Sequence, residues 1–176
     1  MAVVWESNNG KLVNENLKQA VKETLDITSD PTETDMLLLI GLNAKNRGIS
    51  NLTGLEFATN LDQLALDSNK ISNIDPLSNL TSLTYLCLPF NLISDISPIE
   101  KLTNLWYLNF EFNYINDISV VSGLTNLEHI ALGRNQVSDI SPVSGLTNLV
   151  FLHLGDNNIS GYDKIRILLN FWRRRI

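Results

Sequence analysis

A cadence of 22 residues constrains this chain more than any other feature. Leucines open copies at Leu61, Leu83, Leu105, Leu127 and Leu149, and a degenerate copy opens at Leu39, with Leu42, Ala44, Ile49, Leu52 and Leu55 on the same register. Eight residues after each full opening stands an asparagine: Asn69, Asn91, Asn113, Asn135 and Asn157. The Leu39 copy has Arg47 there. A fixed period of this length means units that cannot bury an apolar stripe alone and must stack.

Within the copy from Leu83, Leu86 and Leu88 alternate with Tyr85, Cys87 and Pro89, which is strand periodicity with the leucines inward. Asn91 is placed to satisfy backbone groups of neighbouring coils where the strand ends. Ile93, Ile96, Ile99 and Leu102 then recur at threes, the spacing of 3₁₀ turns, and Pro98 suits such a path. The motif L-x-x-L-x-L-x-x-N is the leucine-rich repeat signature. The fold class expected is α/β: a leucine-rich repeat solenoid, a short curved right-handed coil with a parallel β-sheet on the concave face and 3₁₀ or irregular structure on the convex side.

Three divisions follow: 1–38 as lead-in and helical cap, 39–160 as six repeats, and 161–176 as a capping helix. Ser7-Asn8-Asn9-Gly10 reads as a turn. Asn14 is placed to N-cap a helix carrying Leu17, Val21 and Leu25 on one face. Ser29-Asp30-Pro31 predicts a second short helix running to about Leu39. At the other end, Ile165, Leu168, Leu169, Trp172 and Ile176 share one helical face, with Asp163 able to cap its start. That segment is read as a cap over the last coil, with a basic amphipathic tail as the alternative.

The cap segment Val13-Asn14-Glu15-Asn16-Leu17, the link through Ile27-Thr28, the string from Ile49 to Glu56, and the I-S-D-I-S-P units at Ile93–Pro98 and Val137–Pro142 resemble the bacterial internalin family. The similarity covers roughly residues 12–160. It implies a secreted or cell-surface recognition protein that grips a partner protein with its concave face. A variable face on a near-consensus frame also fits an engineered binder, for which a recombinant or cytoplasmic setting is expected. No basic-then-apolar leader is seen in the first residues and no apolar run reaches spanning length, so membrane insertion is not expected.

Outward positions carry the differences between copies. The third positions are Gly41, Gln63, Tyr85, Tyr107, His129 and Phe151. The fifth are Asn43, Ala65, Cys87, Asn109, Ala131 and His153, and the seventh Lys45, Asp67, Pro89, Glu111, Gly133 and Gly155. The eighth are Asn46, Ser68, Phe90, Phe112, Arg134 and Asp156, with Trp106 at a second position and Leu92 and Tyr114 at tenth ones. Seven aromatic residues thus gather on one surface, where aromatics dominate contact energy. The candidate partner-binding residues are Tyr85, Phe90, Trp106, Tyr107, Asn109, Glu111, Phe112, Tyr114, His129, Arg134, Phe151 and His153, with Asp67 and Glu128 tuning orientation. The ligand expected is a protein or peptide; a glycan on the same rings and self-association are the alternatives, and a monomer is expected otherwise.

Catalysis is not expected. Cys87 and His129 fall two strands, roughly 10 Å, apart, whereas a thiol–imidazole pair must approach to about 3 Å. His129 and His153 have only Asp156 near as a third ligand, so neither metal nor cofactor is expected. A net charge of −6 gives no electrostatic footprint for nucleic acid. The single cysteine precludes an internal disulfide.

Overall fold

The computed structural model describes residues 14–160. Helices α1 (Glu15–Leu25) and α2 (Glu33–Met36) precede six three-residue strands: β1 (Gly41–Asn43), β2 (Gln63–Ala65), β3 (Tyr85–Cys87), β4 (Tyr107–Asn109), β5 (His129–Ala131) and β6 (Phe151–His153). They form one parallel sheet in chain order, and the pairing Gly41↔Gln63↔Tyr85↔Tyr107↔His129↔Phe151 keeps the sequence period as a straight column. Between strands the chain returns through 3₁₀ turns at Leu55–Phe57, Asp75–Leu77, Ser97–Lys101, Ser119–Gly123 and Ser141–Gly145.

The core is a strip of stacked columns, such as Leu42, Leu64, Leu86, Leu108 and Ile130 from the strands, with Ile49, Ile71, Ile93, Ile115 and Val137 behind them, all buried. A solenoid of short coils leaves many backbone groups without strand partners, and the asparagine column serves them. Asn91 Nδ2 donates to Leu66 O at 3.0 Å and Leu88 O at 3.1 Å, while its Oδ1 accepts from Ile71 N at 3.0 Å. Asn69, Asn113, Asn135 and Asn157 repeat the pattern. Leaving such buried groups unmade costs about 1–3 kcal/mol each, so each coil stacked on a preceding one needs its asparagine. The I-S-D-I-S-P string has a similar cause: Asp95, Asp117 and Asp139 accept the N–H of Ser97, Ser119 and Ser141 at 2.8 Å, opening each 3₁₀ turn.

Asn14 caps α1, its side chain accepting from Asn16 N and Leu17 N, and Leu17, Ala20 and Val21 are buried against the first coil. Arg47, where the first coil lacks asparagine, donates its N–H to Asn69 Oδ1 and pairs with Glu23 of α1 at 2.6 Å. The second helix differs from the expectation at both ends. It starts after Thr32, which forms a capping box with Asp35, and ends at Met36. Thr32 wins because its hydroxyl and the Asp35 carboxylate satisfy two end N–H groups reciprocally, which Ser29-Asp30-Pro31 cannot offer. The turn at 7–10 and the C-terminal helix expected over 161–176 lie outside the described residues. No helix among the described residues is long and apolar enough to cross a membrane.

Candidate functional site

Because the strands pair without offset, identical positions of successive coils stand about 4.8 Å apart, close enough for rings to touch. At the third position they do. Tyr85 and Tyr107 stack at 4.4 Å between centroids, followed by His129 at 5.9 Å and Phe151 at a further 5.9 Å. Trp106 lies 6.2, 5.6 and 5.9 Å from Tyr85, Tyr107 and His129, with interplanar angles of 57°, 67° and 81°. Near-equal distances to three rings of one ladder, all steeply inclined, mean that the indole lies across the ladder's edges. The residue is 40% exposed.

A second ladder runs at the eighth position. Phe90 and Phe112 stack at 4.0 Å, and Arg134 Cζ sits 4.7 Å over the Phe112 ring, held by Asp156 at 3.0 Å. Every residue of this column has a positive φ: 52° at Asn46, 55° at Ser68, 56° at Phe90, 53° at Phe112, 56° at Arg134 and 55° at Asp156. Left-handed backbone suits Asn and is uncommon for a bulky side chain, so two phenylalanines here are locally strained. Phe90 and Tyr114 are half exposed, as is Leu92. Tyr114 enters none of these ring stacks among the described residues.

Between the ladders the surface is polar and low. Asn109 Oδ1 accepts from Glu111 N at 3.0 Å, and the Glu111 carboxylate meets His153 Nδ1 although their coils are not neighbours. The intervening coil has Gly133 at that point. A Cβ there would stand 2.7 Å from His153 Cε1 and 3.1 Å from Glu111 Oε1, so only glycine leaves the pair room. Gly155 likewise abuts the His153 ring. These glycines are visible in the sequence as two small residues in an otherwise large-residue column, but their role shows only once three coils are side by side.

Four positions read as outward are buried, Cys87, Pro89, Ala131 and Gly133, and the first two carry side chains large enough to need a cover. Cys87 is 4% exposed and Pro89 is buried. Their register is outward, but Tyr85 leans over the thiol and the Lys45–Asp67 pair, at 3.0 Å, closes the next coil. Burial and the Asp67 carboxylate push the Cys87 thiol up to about 12. Burial also raises the Tyr85 phenol well above its ordinary value. Asp67 and Arg134 are each occupied by an internal ion pair. No group of three or more metal-ligating side chains occurs among the described residues.

The family described as leucine rich repeats in two copies matches residues 81–125 and 125–166. An internalin (InlF) from Listeria monocytogenes is 32% identical with a TM-score of 0.82, the alignment covering 88% of this chain and 47% of that one. The functional domain of InlJ from the same organism is 25% identical with a TM-score of 0.65, covering 84% of this chain and 42% of that one. A leucine-rich repeat protein of Leptospira interrogans is 27% identical with a TM-score of 0.72, covering 77% and 36%. The chain therefore spans less than half the length of each of these structures. No curated protein sequence matches it.

Proposed function

The chain is an internalin-like leucine-rich repeat protein, and from that premise we propose that it is a non-enzymatic recognition module whose strand-lined face grips a protein or peptide. The observation that carries this reading is the ring ladder Tyr85–Tyr107–His129–Phe151 with Trp106 across it. Rings already fixed by their neighbours lose little rotamer freedom when a partner covers them, which is the property of contact hot spots. Phe90, Phe112 and Tyr114 extend the contact at the far margin, and Asn109, Glu111, His153 and Arg134 supply polar contacts between. If the natural chain acts outside the bacterial cell, its partner is met there.

The test is a capture experiment with the chain beside its Tyr85→Ala/Tyr107→Ala variant. Both rings are half-buried, so the variant loses about 1–3 kcal/mol of stability and stays folded. Thermal unfolding checks that. A partner retained by the chain and absent from the variant supports the reading; a partner retained equally by both sinks it.

A further inference from the structure

We propose that the segment this face receives is basic, and that an arginine or lysine side chain seats on the exposed indole of Trp106 against Glu128. The inference rests on the recognition reading above and adds the chemistry of the partner.

The indole lies beside the rings of Tyr85, Tyr107 and His129, steeply inclined to each, and the residue is 40% exposed. Ring edges carry the positive part of the aromatic quadrupole and ring faces the negative part, so an exposed indole attracts a cation to its face. The next coil brings Glu128 alongside: its N–H donates to Trp106 O at 2.9 Å, and its side chain is exposed with no ion pair among the described residues. On the other flank Asp62 accepts from Thr84 Oγ1 at 2.6 Å and from Gln63 Nε2 at 3.3 Å, both neutral donors. Of the cations in these columns, Lys45 and Arg134 are already held by Asp67 and Asp156, and Lys70 stands at the far margin in the column of Leu92 and Tyr114. Negative charge is therefore left over around the indole, in a chain whose net charge is −6.

The molecule makes the proposed contact once by itself. In the second ladder Arg134 lies 4.7 Å over the Phe112 ring with a carboxylate behind it. Trp106 and Glu128, on adjacent coils, offer a ring and a carboxylate with no cation of their own among the described residues.

Random dodecapeptides displayed on phage, selected on the full chain, give the test. The expected pool is enriched in Arg and Lys, depleted in Asp and Glu, and lost on Trp106→Ala. Binding of its members falls about 1.4- to fivefold for each ion pair lost in Asp62→Asn/Glu128→Gln, the range for exposed ion pairs. Glu33→Gln/Glu100→Gln, with the same net charge but both changes away from the strand-lined face, should bind as the parent does. Peptides lost on Tyr85→Ala/Tyr107→Ala that are not basic, or that bind Asp62→Asn/Glu128→Gln unchanged, overturn the inference and leave the recognition reading standing. A pool with no dependence on the tyrosines removes both.

Discussion

Phe90 and Phe112 hold left-handed backbone conformations at positions where Asn46 and Ser68 stand in other coils. Such a conformation costs a bulky residue on the order of 1–3 kcal/mol, and the stacked pair returns about 0.5–1.5 kcal/mol. With about 2–6 kcal/mol of strain relieved at two positions and one stack lost, replacing both with asparagine should not lower stability in urea unfolding. Phe110, fully buried two residues from Phe112, should cost about 3–5 kcal/mol as Phe110→Ala. Equal losses in the two variants would mean the exposed phenylalanines are structural and not kept for contact. Side-chain alternation separates Phe110 from Phe112 in the sequence, but the handedness at position eight is not visible there, since the residue types do not favour it. Cys87 and Pro89 were hidden for a related reason: alternation gives direction, whereas burial depends on what leans over from the next coil.

At the scale of the element, one coil is a strand, an asparagine corner and a 3₁₀ return, and all three could be read directly from spacing. The corner's work was also foreseeable, because a short coil has unpaired carbonyl and amide groups that a side-chain amide can fill. Asn113 joins Leu88 O and Phe110 O through Nδ2 and receives Ile93 N through Oδ1. Asn113→Ala should lower stability by about 2–4 kcal/mol in chemical denaturation, since it strands several buried groups. A change below about 0.5 kcal/mol would show that water replaces the amide without penalty. The extent of α2 was less legible, because proline at a first turn and a capping box are both start signals, and the reciprocal bonds of Thr32 and Asp35 decide between them. The Glu111–His153 contact could not be read at all, as it joins coils that periodicity treats as separate.

For the whole molecule, coils pack on their neighbours, the Glu111–His153 contact aside, so stability is closer to a sum along a line than to a property of one centre. Coils with a neighbour on each side should open last. Leu86 and Leu108 are fully buried, whereas Leu152 in β6 is half-buried. Amide exchange at Leu86 and Leu108 should be slower than at Leu152 by at least about tenfold, the effect of 1.4 kcal/mol in opening free energy. Uniform protection would instead mean that the solenoid opens as a single unit.

Gly133 gives the stack a fixed order. Leucine and asparagine columns would re-form if a unit were duplicated or lost, because every coil presents the same groups to whichever coil follows. The bridge over Gly133 would not: it demands an acid, a gap and an imidazole in three successive turns. Change in copy number between β4 and β6 would break it, while insertion before β4 or after β6 would leave it whole, so these three coils keep their order wherever else the length varies.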